Sequence, residues 1–334
     1  MEELVIIDQH QGCDDAALWV REGEERLPGR DSNRRLVELR EGLLRHPAVR
    51  AVPADAGDGA VEAALRALHE AHYLEALRGV GDGEAVVMAD FAPPGLDPDI
   101  PVNAGLVAAA REAVRTAITA ARRLAGGQRF AYAVCRPPGH HAGPDWLAGY
   151  CYLNSAAAAV HTLGELGAGP VGVLDLDLHY PNGTSALLEA MPAATLHSLH
   201  AFPVTNLPAG ATLPRHEGER TRAFAAPPSE AEYLAEVAAS IEELAARAAV
   251  LVVSLGYDTV RGDPHGGWEL EPGAFAAIGA LLAAAGRPVC VVQEGGYALE
   301  TLADCAEAFA TGLLSDSVPQ ELPIIGVAGE AGAR

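Results

Sequence analysis

Short runs of β-branched and apolar residues alternate with longer alanine-rich stretches from near the start of the chain to about residue 314. The runs LVIID (4–8), FAYAVC (130–135), VGVLDL (171–176), ATLHSL (194–199), VLVVSL (250–255) and VCVVQE (289–294) predict strands. Helices are predicted over 61–78, 103–125, 154–166, 229–247, 273–285 and 298–313. Alternation of this kind implies an α/β fold, a central and mostly parallel sheet with helices on both faces. No linker or shift in composition divides the chain, so a single domain is expected over 1–315, followed by a C-terminal tail over 316–334. Segments 79–101 and 201–221, rich in Gly, Pro and acidic residues, are expected to be surface loops.

Composition supports a globular chain and narrows its partners. Of 334 residues, 49% are hydrophobic and 20% charged, far from the signature of disorder. The formal net charge of −22 disfavours a surface that tracks nucleic-acid phosphates and favours a cationic small substrate, although the same acidity also serves solubility. The cysteines (Cys13, Cys135, Cys151, Cys290, Cys305) are odd in number and include no CxxC, so buried thiols are expected. The N-terminus carries no basic segment leading into an apolar one, and no apolar run reaches about 18 residues. A cytoplasmic protein that does not engage a membrane is expected.

In open α/β sheets, ligands bind beyond the carboxyl ends of the strands. Here RPPGHHAG, with adjacent His140 and His141, follows the 130–135 run, and DLDLHYPNG follows 171–174. GYDT with Asp258 follows 250–255, and EGGY with Tyr297 follows 289–293. Asp175, Asp177 and His179 are spaced by two, so their side chains share a face if the strand continues that far. Asp258 from a neighbouring strand end completes two carboxylates and one imidazole with an open fourth position, the set a catalytic zinc needs; Fe(II), Co(II) and Mn(II) accept the same ligands. Each fragment alone has an ordinary reading as a turn, a helix cap or an acidic strand end. Four of them at four strand ends require four separate explanations.

The same residues carry a resemblance. RPPGHHAGPDWLAGYCYLN (136–154), DLDLH with NGT (175–184), SLH (198–200), SLGYDT with GDP (254–264) and EGGY (294–297) resemble, in order, the active-site blocks of the histone deacetylase superfamily. Within it they are most similar to the bacterial acetylpolyamine amidohydrolases and histone deacetylase-like amidohydrolases, over about residues 130–312. The resemblance implies the arginase/deacetylase fold and a zinc-dependent amidohydrolase that cleaves a linear N-acyl amide, chiefly N-acetyl, with metal-activated water. It implies Asp177, His179 and Asp258 as ligands of one Zn2+ per chain, with Fe2+ or Co2+ as substitutes. His140 and His141 are implied as the proton-transferring pair, with Asp175 behind the first and Asn182 behind the second, and Tyr297 as donor to the oxyanion. A carboxylate partner favours imidazolium and a neutral amide does not, so His141 is the better general base. Gly149, Tyr150 and Leu207 are implied as channel wall, and Glu84, with Asp82 and Asp90, as acids at its mouth. Asp175, Asp177, His179, Ser198 and Leu199 are implied as a structural K+ site. The partner is then a small-molecule or peptide N-acetylated amine, and homo-oligomerisation stays open.

Two departures stand out. Tyr180 and Pro181 replace the family's usual His-Gly, and proline fixes φ at about −65°, so a differently shaped loop around Asn182 is expected. The stretch 91–102 is short beside the insertion of acetylpolyamine enzymes, and leucine at 207 replaces an aromatic ring, which together predict a wider channel. The amine is therefore open among a polyamine, a protein lysine and a natural-product intermediate. An arginase-like ureohydrolase needs a second-metal aspartate where this chain has Pro181, and an inactive acyl-amine binding module needs no proton-transfer groups. His69 and His72 are read as ordinary helix-face residues, and His265 as lying near the rim.

Overall fold

The computed structural model describes residues 2–9, 19–22, 25–83, 85–95, 100–201 and 219–315. Its strands are β1 (Leu4–Asp8), β2 (Trp19–Glu22), β3 (Glu25–Pro28), β4 (Val49–Pro53), β5 (Phe130–Val134), β6 (Val171–Asp175), β7 (Ala194–Ala201), β8 (Arg220–Phe224), β9 (Val250–Leu255) and β10 (Val289–Gln293). Its α-helices are α1 (Asn33–Leu44), α2 (Asp58–Leu68), α3 (Ala71–Arg78), α4 (Ala104–Ala125), α5 (Ser155–Glu165), α6 (Asn182–Leu188), α7 (Glu230–Arg247), α8 (Pro272–Ala284) and α9 (Leu299–Leu313). Eight strands form one sheet in the order β4-β1-β5-β10-β9-β6-β7-β8, and every neighbouring pair in it is parallel. β2 and β3 form a separate antiparallel pair.

Both faces of the sheet are covered, and successive residues of each inner strand serve opposite faces. Leu4, Ile6, Tyr132, Val253 and Val291 pack with Leu39 of α1, Tyr233 of α7, Phe275 of α8 and Phe309 of α9. Val5, Ile7, Ala133, Val252 and Val292 pack with Ala117 of α4 and Val160 of α5. Full burial of each Leu, Ile or Val contributes about 1.5–3 kcal/mol. A third cluster, around Tyr73, Leu106, Tyr152 and Tyr297, lies beneath the loop that follows β5.

Each of the six sequence-derived strands is present, and the structure adds elements that periodicity did not reveal. β4 and β8 are the two edges of the sheet, and β8 exposes much of its length, so neither reads as a buried apolar run. α1, with the charged sequence NRRLVELREGLL, and α6, which starts directly after Pro181, were also unforeseen. The expected 61–78 helix is two, because His69 adopts φ −115°, ψ 144° and ends α2. The expected 201–221 loop gives way to strand at Arg220, and its residues 202–218, like the tail 316–334, lie outside the described residues.

Register decides where the chemistry gathers. Asp175, the last residue of β6, pairs with Ser198 of β7 on one side and Ser254 of β9 on the other. Gln293, the last of β10, pairs with Leu255, the last of β9. The segments after β6, β9 and β10 therefore leave the sheet at one edge and at one level.

Candidate active site

The histidine loop after β5 is held from below by Glu294, whose Oε2 accepts hydrogen bonds from the backbone N–H groups of Gly139 (2.6 Å) and His140 (3.1 Å). Gly139 is required by space, since a Cβ there meets Ser155 N at 2.6 Å. His140 and His141 lie side by side with ring centroids 4.1 Å apart, and both are buried. Their partners differ in charge. His140 Nδ1 is 3.3 Å from Asp175 Oδ2, and its Nε2 is 3.5 Å from Asp177 Oδ1. Nδ1 of His141 instead donates to Asn182 Oδ1 at 2.6 Å, which leaves Nε2 as an acceptor. Burial works against charge on both rings, but Asp177 and Asp175 more than offset it at His140 and raise its pKa to about 10. At His141 burial acts together with the positive charges of His140 and His179, and the pKa falls well below 6.5.

Beyond β6 the chain does not stay extended. The strand ends at Asp175, so strand alternation is not what brings Asp177 and His179 together. Backbone donors aim these side chains instead. Asp177 Oδ2 accepts from Gly295 N (2.8 Å), Asp177 Oδ1 from His179 N (2.9 Å), and Asp258 Oδ1 from Leu178 N (3.0 Å). Ligand atoms of Asp177, His179 and Asp258 consequently lie within 4.8 Å of one another. Asp175 is not one of that group: its Oδ2 meets His140 and its Oδ1 accepts from Asp177 N, so the expected single face splits into two tasks. Glycines make the convergence sterically feasible: a Cβ at Gly295 falls 2.6 Å from Asp177 Oδ2 and 2.6 Å from Asp258 Oδ2.

The electrostatics of this cluster call for a cation. Burial and the adjacent Asp177 charge push the Asp258 carboxyl up to about 7, with the buried Asp258 Oδ2 in ion-pair contact with His179. Burial disfavours charge on His179, yet Asp177 and Asp258, with oxygens 3.0 and 3.2 Å from its Nδ1, hold its pKa well above 6.5. A bound cation supplies the same compensation and displaces that proton. Two carboxylates and one imidazole gathered in this way could hold a metal ion, and the donor set suits a transition metal. Pro181, at the start of α6, offers no side-chain ligand for a second ion.

Tyr297, four residues after the end of β10, is held through its backbone. Its backbone N–H donates to Asp263 Oδ2 (2.6 Å), as does that of Ala298 (3.0 Å). Gly296 before it has φ +117°, a conformation that suits glycine. Burial raises the Tyr297 pKa well above 10, so its hydroxyl keeps its proton and can donate. Gly149 lies close enough to His141 that a Cβ meets its Cδ2 at 2.5 Å, and Tyr150, at φ 67°, is the non-glycine residue in the left-handed region among those described. The Tyr150 ring lies 5.6 Å from that of Tyr297. His265 packs edge-on at 4.8 Å from Tyr297, with Nε2 3.1 Å from the Tyr150 hydroxyl, so it adjoins the site.

A model of the histone deacetylase domain matches residues 30–313. The chain belongs to this family. The match begins well before the blocks that carried the sequence resemblance, and it takes in α1. Acetylpolyamine amidohydrolase 1 of Pseudomonas aeruginosa is 32% identical over 234 residues, which is 68% of this chain and 68% of that protein. Acetylpolyamine amidohydrolase of Burkholderia pseudomallei is 35% identical over 282 residues, covering 75% of this chain and 82% of that protein. The crystal structure of acetylpolyamine aminohydrolase from Burkholderia pseudomallei aligns with TM-score 0.77 and 26% identity, over 93% of this chain and 98% of that one. The arginase/deacetylase fold is thereby shared.

Several placements differ from expectation. Tyr180 and Pro181 do not displace Asn182: its side chain meets His141 although the residue before it breaks the family pattern. Of the residues implied for the potassium site, Ser198 pairs in register with Asp175, and its hydroxyl lies 2.9 Å from His200 Nδ1. Leu207 and Glu84 lie outside the described residues. Sequence reasoning missed a buried ionic group altogether. Arg35 of α1 binds Asp31 (2.5 Å), Gly296 O (2.6 Å) and Glu294 O (2.5 Å), and its guanidinium lies 4.6 Å from the Tyr297 ring centre. Arg136 reaches the same Asp31 at 3.2 Å. No motif marks Arg35, which sits in a helix whose composition reads as solvent-facing. His69 is not an ordinary helix-face residue either, being buried at the end of α2.

Proposed function

We propose that this chain is a zinc-dependent amidohydrolase that removes an acyl group, N-acetyl foremost, from an amine. The observation that carries this reading is the opposite polarity of two adjacent imidazoles beside a carboxylate-rich metal set. Asp177, His179 and Asp258 hold the ion, Zn2+ in the first instance with Fe2+ or Co2+ as substitutes. When bound, the ion polarises the amide carbonyl and lowers the pKa of a water towards about 7. His141, neutral and with its Nε2 lone pair free, takes the proton of the attacking water. His140, kept protonated by Asp175 and Asp177, gives a proton to the departing amine. The Tyr297 hydroxyl donates to the amide oxygen as negative charge develops there. Asp175 and Asn182 act through the histidines they hold. A K+ ion among Asp175, Asp177, His179, Ser198 and Leu199 belongs to the same reading and stiffens the loop after β6.

The substrate is an N-acetylated small amine or peptide, and a cytoplasmic location follows from the same proposal. Among the described residues no helix is long and apolar enough to cross a membrane. A binding module without turnover is disfavoured, because recognition alone requires neither imidazole nor the tyrosine. The deciding experiment incubates zinc-loaded protein with acetylputrescine, acetylspermidine, acetyl-lysine peptides and a bulky neutral acetamide at about 0.15 M salt, where surface charge is screened beyond about 8 Å. We expect free amine from several of these and a spread of kcat/KM below a hundredfold. A larger preference for polyamines assigns a specific amine site at the mouth and overturns the wide-channel expectation. No turnover of any of them sinks the hydrolase reading.

A further inference from the structure

The segment that joins the histidine pair to α5 carries Trp146, Gly149 and Tyr150, and it touches the chemistry at both ends. Trp146 Nε1 donates to His141 O (3.0 Å), and Gly149 lies against the His141 ring. Residues 143–154 form little regular structure of their own, the exception being the Ala148–Cys151 bridge. Something outside must therefore fix their shape.

The junction of α2 and α3 does so. Nδ1 of His69 lies 2.8 Å from Gly143 O, at the start of the segment, and its Nε2 lies 3.3 Å from Asn154 N, at the end. A carbonyl can only accept and an amide N–H can only donate, so Nδ1 carries the proton and Nε2 the lone pair. One neutral imidazole thus ties together two points that are eleven residues apart in sequence. Burial lowers the His69 pKa to about 4, which keeps the ring neutral through neutral pH, and the two partners fix its tautomer. Its neighbours reinforce the grip: Glu70 N donates to Pro144 O (2.8 Å), and the Tyr73 hydroxyl donates to Tyr152 O (2.7 Å). Asn154 passes the restraint on, since its Nδ2 bonds Ala142 O and Thr184 Oγ1 (both 3.0 Å), while Thr184 N donates to His140 O (3.0 Å).

We propose that His69 is a positioning residue, which clamps both ends of the 143–154 segment and thereby sets the channel wall at Gly149 and Tyr150 and the seat of His141. As regards catalysis this rests on the amidohydrolase reading; as regards loop order it does not.

Hydrogen exchange on substrate-free protein, paired with steady-state kinetics, tests it. His69→Phe keeps a ring of similar size and removes both bonds, whereas His69→Asn keeps a donor near the Nδ1 position. For His69→Phe we expect the amides of Leu147, Cys151 and Asn154 to exchange at least about tenfold faster. Leu176 N, bonded to Ser254 O between β6 and β9, should be unchanged. KM should rise by a larger factor than kcat falls, the ratio of kcat/KM between small and bulky acetamides should shift, and His69→Asn should recover part of each effect. Tyr73→Phe should give the same pattern at smaller size, and it carries the test if His69→Phe does not fold. Exchange at the three amides within twofold of wild type overturns the proposal. So does uniform acceleration across the sheet with an unchanged substrate ratio, because that marks general destabilisation. Wild-type protein that turns over no acetylated amine overturns the proposed function and leaves the exchange test intact.

Discussion

Beside Tyr297, Asp31 is enclosed with Arg35 and Arg136; after β6 and β9, Asp177, His179 and Asp258 converge. Both groups are buried and both are made of charges, yet they are finished differently. Asp31 lies against two guanidiniums, Arg35 at 2.5 Å and Arg136 at 3.2 Å, and other donors of Arg35 reach backbone carbonyls of Glu294 and Gly296. In the second group two carboxylates share one imidazole, and the Asp258 carboxyl is forced up to about 7. A buried carboxylate outnumbered by guanidiniums makes a closed bracket; buried carboxylates that outnumber their imidazole leave an open place for a cation. The difference separates the structural support of Tyr297 from the chemistry it faces.

The strongest way to break this comparison is to remove an open-side carboxylate. Asp258→Asn should lose the metal, with elemental analysis falling from about one ion per chain to a small fraction, and activity should fall by on the order of 10³-fold or more, matching the several kcal/mol a bound metal supplies. Full metal content in that variant, or a wild-type requirement for two manganese ions, contradicts the single-ion site.

Proton transfer comes next. His141→Ala should lower kcat by about 10²–10⁴-fold with the metal retained, and Tyr297→Phe by about 10²–10³-fold. Turnover of Tyr297→Phe within threefold of wild type removes its hydroxyl from the reaction.

The polarity of the histidines can be moved without deleting either ring. His141 must be neutral and His140 protonated, so kcat/KM should show an acid limb below 6.5 from His141 and an alkaline limb from His140, lower than the metal-free value of about 10 because the ion takes up the charge of Asp177. Asn182→Asp places a carboxylate at His141 and should move the acid limb upward by about 1–3 units. Asp175→Asn removes one source of the elevation at His140 and should move the alkaline limb downward. Stability has the same signs. The part due to His140 is full below about 6.5 and fades as pH rises through about 10. His141, neutral when folded, withdraws stability as pH falls below 6.5. Profiles that do not move in either variant refute the assignment.

The smallest effect on chemistry is expected on the closed side. Asp31→Asn leaves two buried guanidiniums without their anion and should cost about 3–5 kcal/mol of stability, read as a lower Tm. Metal content should be unchanged, and the loss of kcat in the folded protein smaller than for Tyr297→Phe. Loss of the ion in this variant joins the two groups into one unit and ends the distinction.

How far the sequence was legible follows from what each residue does. Asp177, His179, Asp258 and Tyr297 were readable because chemistry in this fold class collects after parallel strands, and those strands, buried on both faces, announce themselves as apolar runs. The partners of His140 and His141 were foreseen through resemblance, and Asn182 reaches its ring despite the Tyr180-Pro181 departure. Arg35 and His69 were not foreseen. Each acts through a contact with a segment far away in sequence, from Arg35 to Gly296 and from His69 to Asn154, and no local pattern encodes such a pairing. β4 and β8 escaped for a related reason, since an edge strand has one neighbour and carries polar residues that mask its period.

By itself, then, the sequence determined the six inner strands and their alternation with helices, the parallel α/β class and the inventory of reactive side chains, because hydrophobic period and residue chemistry are local properties. Only the tertiary structure decided that backbone donors rather than strand alternation gather Asp177, His179 and Asp258, which buried charges are closed and which open, and what holds the 143–154 segment. Those are distances between strand ends and loops, set by sheet register and by hydrogen bonds over a hundred residues apart, as between Asp177 and Gly295.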